Sequence, residues 1–134
     1  VIWTAYQAVW AFDGDLGAAD LATLHELRIA GKWLRYTLEF VREPIEPAAT
    51  ALIKPVVAMQ DHLGLLHDRH VAAELARAFA TAGTLAEAQA ASIGKFIGHL
   101  DHGVERQRGA FGSTWRPLAA ADYRRGLGRA IARL

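Results

Sequence analysis

The sequence predicts an all-α fold, an antiparallel helical bundle of about four to six helices, with residues 1–134 as a single helical-bundle domain. Ala, Leu, Glu, Arg and Gln dominate the long segments, where apolar residues recur at helical spacing. Hydrophobic residues make up 52% of the chain and charged residues 22%, a composition typical of a domain with a core. The length of 134 residues favours one domain over two.

Six segments are predicted to be helical, and turn or capping residues separate them. The first ends at the DGDLG turn of residues 13–17. The second follows Asp20, which has the residue type of an N-cap, and ends before the Glu-Pro pair at 43–44. Pro47 suits the first turn of the third helix. The predicted helices cover about 1–12, 20–42, 47–65, 68–81, 84–109 and 118–133.

The third, fourth and fifth helices are predicted from internal signals. Pro55 should bend the third helix or shift its start. A break is expected near Gly64, after which Asp68 is the predicted N-cap of the fourth helix. Thr84 and Glu87 fit a capping box that would begin the fifth.

Several classes of function are excluded by what the chain lacks. Cys is absent, which excludes disulfide scaffolds, thiolate zinc sites and cysteine nucleophiles. Ser92 and Ser113 lie outside any Gly-x-Ser-x-Gly motif, and no Gly-rich phosphate loop precedes a helix. No apolar run reaches the roughly 18 residues of a membrane span, and no signal sequence opens the chain. We therefore expect a cytoplasmic protein without a cofactor or a membrane partner. Because the chain starts at Val1, which already looks mid-helix, we expect a fragment of a longer protein.

The predicted second helix has a basic row beside its apolar seam. The seam repeats at steps of three and four residues and comprises Leu24, Leu27, Gly31, Leu34, Leu38 and Val41. One position further on lie His25, Arg28, Lys32 and Arg35, which we name the basic row. At about 100° per residue these four side chains fall within about 80° of arc and flank the core. Cations at this spacing repel each other, and Glu39 relieves only one end of the row.

The spacing alone leaves two interpretations of the basic row open. An uncompensated row beside a groove is what a phosphate ligand or an anionic polymer needs. Alternatively, acidic residues on neighbouring helices neutralise the row, and the domain is a helical protein-interaction or scaffold module. Nucleic acid is not the expected partner, because base recognition would need aromatic or amide groups beside the cations. Residues 103–134 also contain seven Arg and two acidic residues, for which a solvated helix face is the commoner explanation.

The six histidines raise a metal site as a third interpretation. His62, His67 and His70 lie close together in sequence, and His99 and His102 are three residues apart. Metal-binding pairs on helices use such spacing, but neither Glu-x-x-His nor His-Glu-x-x-His occurs in the chain. We therefore predict no metal site and treat these histidines as surface or half-buried residues.

Two motifs resemble those of the CHAD family, the conserved histidine α-helical domain. The segment from His25 to Glu39 matches the family pattern His-x-x-Arg-x-x-x-Lys-x-x-Arg-Tyr-x-x-Glu at all six positions. The segment from Met59 to Asp68, MQDHLGLLHD, is similar to the family pattern Leu-Gln-Asp-x-Leu-Gly-x-Leu-(Asn/His)-Asp. The resemblance extends to the end of the chain, through Trp115 and the sequence YRRGL.

This resemblance implies a function as well as a fold. It implies two similar helical bundles that flank a basic groove for inorganic polyphosphate, no catalytic activity, and association with polyphosphate granules. The implied contacts are His25, Arg28, Lys32 and Arg35, with Lys54, Gln60 and His67 as secondary contacts. Val57 and Trp33 stand where many relatives have a basic residue, so we expect weaker binding than in a typical member.

Only one signature helix is present, so the chain resembles the C-terminal half of a two-bundle CHAD domain. A half domain is expected to expose an apolar patch where its twin would pack, and Trp3, Tyr6 and Trp10 are candidates unless they belong to the core. Either a missing N-terminal half or a homodimer would cover that patch. A two-fold dimer could also place two basic rows on one groove.

Overall fold

The computed structural model describes residues 1–134 and contains six α-helices and no strand, which confirms the all-α prediction. The helices are α1 (Ile2–Trp10), α2 (Leu21–Phe40), α3 (Arg42–Ile45), α4 (Ala48–Ala82), α5 (Glu87–Ala119) and α6 (Ala121–Ile131). None of them combines the length and the hydropathy that a membrane-spanning helix needs.

The core forms around α4, which packs against α2 on one side and against α5 and α6 on others. The seam predicted on α2 is buried from Leu24 to Leu38, and only Val41, after the helix, is half-buried. It faces Val56, Met59 and Leu63 of α4 within one cluster of buried side chains. α1 closes the bundle, where the Tyr6 hydroxyl donates to the carbonyl of Leu118 at 3.2 Å.

The N-terminus of α2 is capped as the sequence predicts. The backbone N–H of Thr23 donates to the Asp20 carboxylate at 2.7 Å. Hydrogen bonding from Thr23 lowers the pKa of Asp20, because it favours the charged form of the carboxyl. This cap fixes where α2 begins, and therefore the register of the basic row along it.

The predicted break near Gly64 is wrong, since α4 is one helix of 35 residues that includes Gly64, Asp68 and, nearer its start, Pro55. A glycine inside a helix costs about 0.5–1 kcal/mol relative to Ala. Burial of Leu63 and Leu66 on either side of Gly64 offsets that cost, because helix stability in proteins comes mostly from packing. Asp68 is consequently an exposed residue within α4 and not an N-cap.

The predicted bounds of the last two helices are also corrected. α5 begins at Glu87 with Ala86 as its N-cap residue, and the Ala86 N–H donates to the Gln89 side chain at 3.0 Å. Thr84 therefore lies outside the cap. The helix continues ten residues past Gly109 because its later turns bury Phe111 and Trp115 against the core. α6 accordingly starts at Ala121.

Candidate functional site

The basic row lies beside the line along which α2 and α4 meet. Within the row, His25 and Lys32 are exposed, whereas Arg28 and Arg35 are half-buried. The two helices are antiparallel, since His25 of α2 lies against His67 of α4 and the Arg28 carbonyl is bonded to Gln60, earlier in α4. The row therefore borders a groove between α2 and α4.

The two helices approach each other closely at Gly31. A Cβ at this position would lie 2.2 Å from Cε of Met59 and 2.7 Å from Nε2 of Gln60. The Gln60 amide reaches across the same junction and donates to the Arg28 carbonyl at 2.9 Å. Gln60 thus holds α4 against α2, in addition to the contact with an anion that the sequence predicts.

Most of the positive charge of the row is unpaired. Arg35 donates to Glu39 at 2.8 Å, and this bond, with a smaller contribution from Asp61 of α4, raises the pKa of the Arg35 guanidinium. No ion pair includes Arg28 or Lys32.

The surroundings of Lys32 and Arg28 contain no carboxylate partner. The Lys32 ammonium lies 5.7 Å from the centre of the Tyr36 ring. Arg28 Nε is buried without a hydrogen-bond partner, so no carboxylate competes for this guanidinium. Acidic residues on neighbouring helices therefore do not neutralise the row at Arg28 and Lys32.

At the N-terminal end of the row, histidines from both helices meet. The rings of His25 and His67 are stacked, with centroids 5.2 Å apart and planes 27° apart. Together with His70 they line a cleft of about 330 Å³ between α2 and α4. The sequence predicts His25 and His67 at the site but not His70. The spacing of His67 and His70, three residues apart on one helix, was the signal that could have found it.

The remaining histidines lie elsewhere. His62 faces α5, where Nε2 lies 2.7 Å from the Gln107 carbonyl and Nδ1 lies 3.0 Å from the Thr114 hydroxyl. Since a carbonyl can only accept, Nε2 carries a proton and donates to Gln107, and Nδ1 forms a hydrogen bond with the Thr114 hydroxyl. His62 is thus a structural residue with both nitrogens satisfied. No group of three or more His, Cys, Asp or Glu side chains is placed to hold a metal ion.

Lys54 is the predicted site residue that lies apart from the row. It is exposed and lines a different cleft, between α3 and α4, with Arg42 and Val57. Two cations, Arg42 and Lys54, therefore lie past the C-terminal end of α2.

The C-terminal arginines serve the fold or face solvent. Arg108 donates at 2.7 Å to the carbonyl of Ala19, which precedes α2 in the sequence, and it pairs with Glu105. The Arg124 guanidinium lies 4.3 Å from the centre of the Trp10 ring. These two arginines contact other parts of the fold, whereas the other five are exposed, namely Arg106, Arg116, Arg125, Arg129 and Arg133.

The exposed apolar surface is not where the sequence predicts it. Tyr6 is only 2% exposed, because it packs against Tyr123 and belongs to the core, and Trp10 is half-buried. Of the three predicted candidates only Trp3 is exposed. An exposed apolar stripe lies on α2, facing away from its seam, and comprises Ile29, Trp33, Tyr36 and Phe40. Leu75 and Phe79 of α4 and Phe96 of α5 are exposed as well. The spacing of the stripe on α2, at steps of four, three and four residues, was visible in the sequence, but a period of this kind is ordinarily taken as a core face.

Comparison with known proteins identifies one family. The family model of the CHAD domain matches residues 4–77, which include α2 and all of α4 except its last five residues. Both sequence motifs, and every residue of the basic row, lie inside the matched segment. No curated protein and no solved structure matches the chain.

Proposed function

Because this chain belongs to the CHAD domain family, we propose that it binds inorganic polyphosphate, without catalysing a reaction, through the basic row of α2. The observation that carries the proposal is that Arg28 and Lys32 are free of ion pairs beside the groove between α2 and α4. Polyphosphate is a linear polyanion, and a row with one cation per helical turn offers it repeated contacts.

Each side chain of the row suits a phosphate in a different way. Arg28 and Arg35 can donate two parallel hydrogen bonds to phosphate oxygens, whereas Lys32 supplies a compact charge. His25 can donate in its neutral or its charged form. The Arg35 guanidinium already donates one hydrogen bond to Glu39, so Arg28 and Lys32 are the principal contacts.

Three further residues extend the proposed site along the groove. His67 continues it beyond His25, and Gln60 borders it at Arg28. Lys54 contacts polyphosphate only if the polymer extends past the C-terminal end of α2, where Arg42 lies beside Lys54. A binder of this kind would be found in the cytoplasm at polyphosphate granules.

Salt dependence tests this proposal. The binding constant should fall as salt rises, with a log–log slope near −0.7 per phosphate contact, or about −3 for four contacts, if polyphosphate behaves as a single-stranded polyanion. Binding is measured by fluorescence anisotropy, with single-stranded RNA of matched total charge as competitor. Affinity that stays constant between low and physiological salt, or RNA that displaces polyphosphate at equal charge, would contradict the proposal.

A second candidate function, an interaction module, is favoured by the exposed stripe on α2. Phe40 is 90% exposed and Trp33 is 63% exposed, which is unusual for large apolar side chains on a helix that also carries a core seam. The partner that we propose is a second copy of this chain. In an antiparallel two-fold contact along α2, like flanks of the helix meet, so the two basic rows would lie on the same side of the pair.

The size of the stripe sets the expected strength of this dimer. A large aromatic side chain buries roughly 150–250 Å² when fully covered. The stripe has three aromatic residues that are already partly covered, so it provides less area than a standard interface, which buries about 800 Å² per partner. The two rows also repel each other. We therefore expect weak association in the free protein and stronger association when a polyanion neutralises both rows, by linkage.

Sedimentation velocity with and without polyphosphate measures this effect. The dimer fraction should rise on addition of polyphosphate, and the double variant Trp33→Ser/Phe40→Ser should remain monomeric in both conditions. The matched control is Leu75→Ser/Phe79→Ser, which removes two exposed apolar residues near the end of α4 and should dimerise like the parent. A parent that stays monomeric at high concentration with and without the ligand would refute the dimer, and a second CHAD bundle would then be the occupant to test.

A further inference from the structure

The cleft at the N-terminal end of the basic row contains three imidazoles and no carboxylate. His25 comes from the first turns of α2, and His67 and His70 come from α4. The other lining residues are apolar, namely Leu21, Ala22, Leu24 and Leu66. A cleft of about 330 Å³ lined in this way has no group that would repel an anion and three groups that can become cations.

The close approach of His25 and His67 determines how the cleft responds to protons. With ring centroids 5.2 Å apart, two imidazolium ions at these positions would repel each other. A bound phosphate removes that repulsion, since it attracts both rings. Protonation of the cleft and binding of an anion therefore favour each other, as linkage requires.

The charged groups around the cleft do not cancel this effect. On α2, Asp20 is engaged in the helix cap and Glu26 is exposed outside the lining. On α4, Asp68 is likewise exposed outside the lining. From α5, Arg108 approaches the start of α2 through the Ala19 carbonyl, and its charge is paired with Glu105.

Two basic residues close to the histidines in sequence, Arg28 and Arg69, also belong to these surroundings. Arg28 continues the row directly from His25, and Arg69 of α4 packs against Gly103 of α5. Neither is in an ion pair. Two unpaired cations therefore lie near the cleft, and the nearby carboxylates are exposed outside its lining.

We infer that His70 joins His25 and His67 in contacting phosphate at this end of the proposed site, and that these three histidines make polyphosphate binding depend on pH, with stronger binding in mildly acidic conditions. This inference rests on the proposed function, and it adds His70, which lies outside both sequence motifs. Histidine ordinarily titrates near pH 6.5, so the change falls between about pH 8 and pH 5.5. Each histidine whose pKa rises by one unit on binding strengthens binding about tenfold across that range.

The test measures the ratio of binding constants at pH 5.5 and pH 8, at constant ionic strength, with long-chain polyphosphate so that the titrating end groups are few. The parent should bind at least tenfold more tightly at pH 5.5. His70→Gln should lower the ratio, and His67→Gln/His70→Gln should lower it further. His99→Gln/His102→Gln, which removes two histidines of α5 outside the cleft, should keep the parental ratio.

A second measurement does not depend on substitutions. Imidazole resonances followed by NMR through a pH titration should give a higher pKa for His70 with polyphosphate than without it. The inference is overturned if polyphosphate leaves the pKa of His70 unchanged, or if His67→Gln/His70→Gln keeps the parental ratio of binding constants. Binding at pH 8 would still leave the proposed function intact in either case. Absence of binding at every pH overturns the proposed function itself.

Discussion

Replacing Arg28 and Arg35 together with Ala is expected to weaken polyphosphate binding at least 100-fold while the fold is preserved. A charge-assisted hydrogen bond contributes roughly 1.5–3 kcal/mol, and two such losses at the lower value correspond to about a 100-fold change. Loss of Arg35 also leaves Glu39 unpaired beside the ligand, which adds repulsion. The measurement is the dissociation constant at fixed low salt, with unfolding followed by circular dichroism.

The matched control is Arg106→Ala/Arg116→Ala, which removes the same charge from exposed positions on α5. This control should bind almost as the parent does, because its arginines lie outside the groove. The fold should survive in the test variant since Arg28 and Arg35 flank the core and neither contributes to the buried cluster. Equal binding by the test variant and the parent would remove the basic row from the site.

Replacing Gly31 with Val should lower the free energy of unfolding. Even a Cβ at this position would overlap the side-chain ends of Met59 and Gln60, and Met59 is fully buried, so its displaced methyl group would have to repack within the core. Overpacking of a core typically costs about 1–3 kcal/mol. The displaced Gln60 side chain would also lose its bond to the Arg28 carbonyl. Chemical denaturation should therefore show a lower unfolding midpoint.

Gly64→Ala provides the comparison, since a Cβ at position 64 of α4 has no neighbour within 4 Å. That substitution should raise the free energy of unfolding by up to about 1 kcal/mol, because Gly is disfavoured inside a helix. Substitutions at the two glycines should therefore change the free energy of unfolding in opposite directions, although both glycines lie inside helices. A Gly31→Val variant as stable as the parent would show that the two helices do not meet closely at this point.

The sequence alone was sufficient to place the seam and the basic row on α2. Both depend on the period of a single helix, and Asp20 marks where that helix begins. The sequence also predicted that Glu39 would relieve only one end of the row, and the ion pair between Arg35 and Glu39 confirms it. The prediction of two helices between positions 47 and 81 was wrong, because packing of α4 against its neighbouring helices outweighs the weak local preference of Gly64.

The tertiary structure decided which predicted residues share one place. His25 and His67 are 42 residues apart in the sequence but stacked in the fold, and His70 joins them because it lies about one turn after His67 on α4. His62, five residues before His67, faces another helix, since five residues turn a helix by about 140° beyond one revolution. The period of one helix fixes which side chains share its face, and that is what the sequence determined. Which face meets which neighbour depends on how several helices bury their apolar surfaces together, so only the tertiary structure determined the cleft, the free charge of Arg28 and the exposed stripe of α2.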